Sequence, residues 1–224
     1  MTTADLHIHT TFSPDSVITP VSLLKRAQKL GIDIVCITDH SIFEDNIELE
    51  TLKALCKKPL VIRGVELATD NGELLIFGLK NDFWRKILKG MQVLPSTVEV
   101  IEAVNKFNGV AIWAHPFRYY NVVHYNTDYS SFKGIQILEA VNGRNNTTEN
   151  NDAIDYAKRN KYKMIGGSDA HKPSDIGRSL TLFKEDIKTE EEFIAALKNS
   201  SYMPITLEDF LGKDLNQVIK SAAL

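Results

Sequence analysis

The chain has 224 residues, a formal net charge of −3 and 43% hydrophobic residues, which is typical of a globular protein. This composition excludes intrinsic disorder, and two cysteines are too few for a disulfide framework. No apolar stretch is long enough for a membrane span, and the first residues do not resemble a signal peptide. We therefore expect one cytoplasmic domain covering residues 1–224, with no bulk attraction to nucleic acid.

Short apolar runs alternate with helical patterns along the chain. The helix predicted at 20–30 has Thr19 as its N-cap, Pro20 in its first turn and Gly31 as its stop signal. The predicted strands are 4–8, 34–38, 60–65, 74–79, 110–113, 135–141 and 164–167, and the other predicted helices are 44–58, 97–107, 147–160 and 190–198. This alternation is typical of an α/β fold with a mainly parallel sheet. About seven strands favour a small or distorted barrel, with the tail 201–224 packed on it.

Five of the six histidines lie at or just after the ends of predicted strands, together with two carboxylates. These residues are His7, His9, His40, Glu66, His115, Asp169 and His171. Side chains two positions apart on a strand share a face, so His7 and His9 can hold one metal ion together. The C-terminal ends of parallel barrel strands open on one rim, where all of these residues would meet. Imidazole and carboxylate ligands suit manganese, iron or zinc, and their number indicates two or three divalent ions.

The segments around these residues resemble the PHP family, named for polymerase and histidinol phosphatase. The matching segments, in family order, are 5–10 with 12–16, 37–40, 64–66, 114–116 and 167–171. The segment 138–144 also resembles a part of small, stand-alone members. The resemblance implies a distorted (βα)7 barrel, with a metal site at the C-terminal rim of the strands.

The resemblance also implies a ligand set. One ion would be held by His7, His9, Glu66 and Asp169; Glu66 would bridge to a second ion held by His115; and Asp15, His40 and His171 would hold a third. The chain departs from the family at Leu75, because many phosphatase members carry a histidine there. Whether the centre holds two or three ions is therefore open, and Glu139 is one candidate substitute ligand.

Such a centre predicts a metal-dependent phosphoesterase. A hydroxide bridging two ions, with Glu66 between them, would attack phosphorus, and the ions would stabilise the charge of the transition state. Asp39, beside His40, is favoured as a partner that orients an imidazole, while either Asp39 or a metal-bound water would protonate the leaving group. Three arginines that follow strand-end motifs are candidates for phosphate contacts: Arg118, Arg144 and Arg178.

The expected substrate is a small phosphorylated metabolite or a nucleotide, and a phosphomonoesterase is favoured over a nucleotide or oligonucleotide phosphodiesterase. The net charge argues against a duplex nucleic acid as partner. An aromatic loop around Phe117, Tyr119, Tyr120 and Tyr125 would either stack on a base or cover the site. Two other functions stay open: a non-catalytic PHP-type metal-binding module, and metal-dependent hydrolysis of another bond such as an amide. The oligomeric state is also open.

Overall fold

The computed structural model describes residues 1–40, 56–79, 94–118, 129–212 and 214–221. Most of the helix predicted at 44–58 lies outside these residues, as do Tyr119, Tyr120 and Tyr125 of the aromatic loop. All of the predicted site residues lie within the described part of the chain.

Nine strands and six α-helices form within the described residues. The strands are β1 (Thr2–Ile8), β2 (Ile34–Ile37), β3 (Leu60–Thr69), β4 (Gly72–Phe77), β5 (Val110–Trp113), β6 (Ile137–Asn142), β7 (Lys163–Gly167), β8 (Ser179–Phe183) and β9 (Tyr202–Thr206). The helices are α1 (Pro20–Leu30), α2 (Thr97–Lys106), α3 (Thr147–Asn160), α4 (Glu190–Asn199), α5 (Leu207–Gly212) and α6 (Leu215–Ser221).

The ends of the helices follow local capping chemistry. Thr19 caps α1 by accepting a hydrogen bond from the Ser22 N–H, and Gly31 ends the helix in the left-handed conformation, as predicted. Asn146 caps α3 within a capping box that Glu149 completes. These caps fix where α1 and α3 begin.

The strands form one mixed sheet in the order β7-β6-β5-β4-β3-β2-β1-β8-β9. The pairs β1–β2, β2–β3, β5–β6 and β6–β7 are parallel, whereas β3–β4, β4–β5, β1–β8 and β8–β9 are antiparallel. The prediction of a mainly parallel sheet was therefore wrong. For the pair β3–β4 the physical reason is the turn at Asp70 and Asn71, which is too short for the crossover of a dozen or more residues that parallel strands need.

The sheet curls into a nearly closed barrel because the segment after β7 returns to the end of β1. Asp169 donates its backbone N–H to the His7 carbonyl at 2.7 Å, and the His9 N–H donates to the Ala170 carbonyl at 3.0 Å. Ile8 and Ala170 form a parallel bridge between the two segments. This seam places Asp169 beside His7 of β1 and His9, which directly follows that strand.

The barrel interior and its outer layers hold separate hydrophobic clusters. The interior cluster includes Leu6, Ile62, Leu75 and Ile112, which are all buried. Outside the sheet, α1 buries Leu23, Leu24 and Ala27, and α2 and α3 pack over a second outer cluster around Trp113. None of the described helices has the length and apolar character that a membrane-spanning helix requires.

Candidate metal centre

Four side chains converge at the seam between β1 and β7. Nε2 of His7 lies 3.2 Å from Glu66 Oε1, and Nε2 of His9 lies 3.1 Å from Glu66 Oε2. The two Nε2 atoms are themselves 3.1 Å apart. Asp169 completes the group, and all four side chains are buried. The structure therefore brings together the residues that the sequence predicts as ligands of the first ion.

One atom of this group is evidence for a bound cation. Oδ1 of Asp169 is buried and accepts no hydrogen bond from the described residues. It lies 3.6 Å from His7 Nε2 and 3.5 Å from His9 Nε2. A buried carboxylate oxygen without a donor is costly unless a cation compensates it. The four side chains thus fit a divalent ion in both donor chemistry and arrangement.

Glu66 also faces a second group of possible ligands. Its Oε1 lies 2.8 Å from His115 Nε2, and its Oε2 lies 3.5 Å from His40 Nδ1. Glu73 approaches the same imidazole, with Oε2 at 3.5 Å from His115 Nε2. Glu66 consequently occupies the position that a carboxylate shared between ions requires.

A third group lies at the open side of the site. Nε2 of His171 is 3.0 Å from Asp15 Oδ2, and Nε2 of His40 is 3.5 Å from the same oxygen. These three side chains lie close enough to His9 for all four to share one ion. They are more exposed than the first group, with 46% of the Asp15 side chain accessible to solvent. The predicted third set of ligands is thus assembled and open to solvent.

Two of the converging residues have unusual backbone conformations. His115 follows β5 with φ 25°, and Asp169 follows β7 with φ 51°. Positive φ is uncommon for residues other than glycine and costs about 1–3 kcal/mol where it is strained. Such conformations persist only where the surrounding structure fixes them, and they are frequent at functional sites. Here they occur at the two turns where the chain leaves a strand and presents a side chain to the centre.

Glu139 on β6 connects two of the imidazole-bearing residues from behind. Its Oε1 lies 3.0 Å from His7 Nδ1, and its Oε2 accepts the backbone N–H of His115 at 3.0 Å. Asn142 donates its side-chain amide to the same Oε2 at 3.0 Å. Glu139 also lies within reach of an ion shared with His7 and His115. Its contact with Nδ1, however, is that of a residue that orients an imidazole ligand.

Asp39 has a comparable role behind His9. Its two oxygens accept hydrogen bonds from the Thr10 N–H at 2.6 Å and from the Thr10 and Ser13 hydroxyl groups. Ser13 Oγ in turn lies 3.2 Å from His9 Nδ1. Asp39 is buried, and both of its oxygens are engaged. This arrangement favours orientation of His9 over the proton-donor role that the sequence left open for Asp39.

The negative charge of the centre controls the protonation of its histidines. Burial opposes the charged form of His9, but Asp169 and Glu66 raise its pKa to about 9. Burial likewise opposes a charged His7, yet Glu66, Asp169 and Glu139 raise the pKa of His7 above its ordinary value. Burial raises the pKa of Asp169, but His7 and His9 hold it well below its ordinary value. The centre thus stabilises positive charge at the point where these groups converge.

The three predicted phosphate-binding arginines differ in their surroundings. Arg118 donates to Asp169 Oδ2 at 2.5 Å and to Asn142 Oδ1 at 2.8 Å. Arg144 places an Nη1 atom 3.2 Å from His171 Nδ1, and about half of its side chain is exposed. Arg178 forms an ion pair with Asp175 at 2.8 Å. Arg118 and Arg144 therefore contact the proposed ligands, whereas the contact recorded for Arg178 engages another carboxylate.

Phe117 is the described residue of the predicted aromatic loop. Its ring packs against Tyr129 and Tyr156 in the outer cluster, with the Tyr156 centroid 5.4 Å away. These contacts assign Phe117 to the packing between sheet and helices. The other three aromatic residues of that prediction, and His124, lie outside the described residues.

Sequence reasoning missed Glu73 as a possible ligand. Glu73 lies near the start of β4, whereas the predicted ligands lie at or after the ends of strands. Because β4 runs antiparallel to β5, the start of β4 lies beside the end of β5, where His115 follows. Strand direction is therefore the information that would have identified Glu73. The short connection between β3 and β4 contains that information.

Comparisons with known proteins agree with this architecture. A family model described as PHP-associated matches residues 147–202. An uncharacterized protein of Methanocaldococcus jannaschii is 38% identical over 124 residues, covering 51% of this chain and 67% of that protein. The "Probable histidinol-phosphatase" of Thermotoga maritima is 26% identical over 220 residues, covering 82% of this chain and 91% of that protein.

Solved structures share the fold at low sequence identity. A two-domain protein of Bacteroides vulgatus, described as containing a "predicted PHP-like metal-dependent phosphoesterase", has a TM-score of 0.69 at 18% identity. The match covers 92% of this chain and 64% of the other. Endonuclease Q, in complex with a 27-mer duplex substrate with an abasic lesion, has a TM-score of 0.66 at 19% identity. That match covers 88% of this chain and 56% of the other. These similarities concern the fold of the barrel.

Proposed function

The chain belongs to the PHP family of metal-dependent phosphoesterases, and on this premise we propose that it hydrolyses a small phosphomonoester. The observation that carries the proposal is the convergence of His7, His9, Glu66 and Asp169, with Asp169 Oδ1 buried and given no hydrogen bond by any residue of the described ranges. This arrangement supports a cation at the centre of the site. Arg118, bound to Asp169, supports an anionic ligand beside it.

The described residues fit two or three divalent ions. His7, His9, Glu66 and Asp169 would hold the first, Glu66 and His115 would hold the second, and Asp15, His40 and His171 would hold the third. Divalent ions in such positions supply Lewis acidity and lower the pKa of bound water. Glu139 and Asp39 keep the imidazoles of His7 and His9 in fixed orientations, so that each presents Nε2 to the centre.

The arginines bind and orient the substrate in this proposal. A guanidinium group offers a planar pair of donors that matches two phosphate oxygens. The half-exposed Arg144 lies beside His171, so its side chain is accessible to a ligand that enters from solvent. Arg118 is held in place by Asn142 and Asn145, which limits the entropy that it loses on binding phosphate.

The nature of the substrate separates the main proposal from the alternatives. The net charge of −3 and two arginines beside the centre favour a small phosphorylated metabolite or a nucleotide. The similarity of the fold to Endonuclease Q keeps a phosphodiester in nucleic acid as a second candidate. The "Probable histidinol-phosphatase" relative suggests histidinol phosphate as one compound to test.

The decisive experiment measures phosphate release after the protein is stripped of metal and reloaded with manganese, iron or zinc. The substrates are an aryl phosphate, an aryl phosphodiester, histidinol phosphate, a set of nucleotides and a duplex with an abasic lesion. We expect metal-dependent turnover of a monoester, and we expect His9→Ala to abolish it. Cleavage of only diesters or the duplex would replace our proposal with the second candidate. Absence of turnover despite bound metal would favour a non-catalytic module.

A further inference from the structure

The second ion is the least well supplied with ligands in the set that the family implies. Many members carry a histidine at the position of Leu75, but Leu75 has no donor atom. Its side chain is fully buried in the interior hydrophobic cluster, and its backbone lies opposite Glu66 and Ile112. Without another residue, the second ion would have only Glu66 and His115.

Glu73 lies on the same face of β4 as Leu75, because side chains two apart on a strand point in the same direction. The backbone carbonyl of Glu73 accepts the Ala114 N–H at 3.0 Å, which fixes β4 directly beside the residue preceding His115. Its carboxylate Oε2 then reaches to 3.5 Å from His115 Nε2. The position of Glu73 is thus set by backbone pairing.

Glu66, Glu73 and His115 each present a ligand atom, and these atoms lie within 4.8 Å of one another. Glu66 and His115 are almost completely buried, and the Glu73 side chain is 23% exposed. Two carboxylates that approach one imidazole in a mostly buried site repel each other unless a cation lies between them. An ion bound by all three residues removes this repulsion.

We propose that Glu73 is a ligand of the second ion and takes the place of the family's histidine, which deepens the function proposed above. The second position then has two carboxylates and one imidazole, whereas the first has two imidazoles and two carboxylates. Oxygen-rich sites suit manganese better than imidazole-rich sites do. The second position therefore has a stronger preference for manganese over zinc than a histidine-bearing version would have.

Metal content measured on four versions of the full chain tests this proposal. The versions are the wild type, Glu73→Gln, Glu73→His and the control Glu208→Gln, which changes an exposed carboxylate on α5. Each is loaded with Mn²⁺ or Zn²⁺, and bound metal is quantified by mass spectrometry. Electron paramagnetic resonance of the Mn²⁺ form detects coupling between neighbouring ions, and circular dichroism checks the fold.

We expect Glu73→Gln to bind one Mn²⁺ fewer than the wild type and to lose the coupling that involves the second ion, while Glu208→Gln keeps both. Glu73→His should restore the ion and favour zinc. An unchanged number of ions and an unchanged coupled signal in Glu73→Gln would overturn the role of Glu73. A wild type that binds no metal would instead overturn the proposed function itself, so the two failures are distinguishable.

Discussion

The Glu139 carboxylate lies 3.0 Å from His7 Nδ1, and both side chains are completely buried. This contact determines which ring nitrogen of His7 is turned away from the centre. Nε2 is left to face Glu66 and His9. Because the second oxygen of Glu139 accepts the His115 backbone N–H, one carboxylate orients a residue in each of two neighbouring ligand groups.

Replacing this carboxylate is expected to weaken metal binding. Glu139→Gln keeps the size of the side chain but removes the charge that orients His7. Outer partners of ligating histidines contribute about 10- to 100-fold to metal affinity, so we expect a loss of that size. Calorimetric titration with Mn²⁺ measures it, with Glu208→Gln as the exposed control. An affinity equal to that of the wild type would show that the His7 ring is fixed by other contacts.

The space behind His7 depends on a glycine in β7. A methyl group at Gly167 would come within 2.5 Å of Glu139 Oε1 and 2.6 Å of His7 Cβ. We expect Gly167→Ala to lower the free energy of unfolding by about 1–3 kcal/mol, as overpacking does, and to weaken metal binding. Gly212→Ala is the matched control, because no atom of the chain as described lies within 4 Å of its added methyl group. Urea unfolding of both variants makes the comparison, and equal stability would contradict the close packing.

Metal binding is expected to release protons. Despite the opposing effect of burial, Asp169 and Glu66 raise the pKa of His9 to about 9, so metal-free His9 is largely protonated at pH 7. An entering cation must displace that proton, and apparent metal affinity should therefore increase with pH up to about 9. Calorimetry in buffers of different ionisation enthalpy measures the released protons. Heats that do not depend on the buffer would argue against a protonated His9.

The raised pKa of His9 also makes the stability of the metal-free protein depend on pH. The folded-state pKa of His9 exceeds the ordinary value of 6.5, so the folded state binds the proton more tightly than the unfolded chain does. The stabilising contribution of His9 is complete below pH 6.5 and is lost as the pH rises through about 9. Chemical unfolding of the metal-free protein across this range measures the loss. A free energy of unfolding that stays constant between pH 6.5 and about 9 would contradict the raised pKa of His9.

The arginines should differ in their importance for turnover. Arg118 donates to Asp169 and Asn142 beside the centre, and a lysine cannot reproduce its planar fork. We expect Arg118→Lys to lower kcat/KM by about 100-fold, as removal of a charge-stabilising donor does. Arg178→Lys is the matched control, because Arg178 is paired with Asp175. Steady-state kinetics on the substrate that the protein hydrolyses measures kcat/KM for both variants. Equal losses in the two variants would contradict a special role of Arg118.

The dependence of turnover on pH distinguishes the two roles considered for Asp39, which are orientation of His9 and protonation of the leaving group. If Asp39 orients His9 through Ser13, Asp39→Asn should lower metal affinity and leave the shape of the pH profile unchanged. If Asp39 protonates the leaving group, the variant should instead lose the basic limb of the profile with its metal content intact. Measurement of kcat against pH at saturating metal distinguishes the two. We expect the first result, because both oxygens of Asp39 are engaged.

The sequence predicted which side chains converge better than it predicted the directions of the strands. The candidate ligands lie in short motifs at or after strands, as His7, His9 and Asp169 do. Such motifs can be recognised even when the direction of a strand is predicted wrongly. The positions of β8 and β9 were missed: β8 has the alternating pattern of a strand but is only five residues long, and β9 contains Pro204, which disfavours a strand. Glu73 was missed as a candidate ligand for a related reason, since a hydrophobic run gives the place of a strand but not its direction.

The seam between β1 and β7 joins parts of the chain that are far apart in sequence. Asp5 accepts a hydrogen bond from the backbone N–H of Ser168, which lies 163 positions away, and the first ligand group, from His7 to Asp169, spans nearly the same interval. Closing so long a loop is entropically costly and is typically completed late in folding. Metal capture should therefore follow assembly of the barrel and act mainly by slowing its opening. A chelator should accordingly accelerate unfolding much more than it slows refolding.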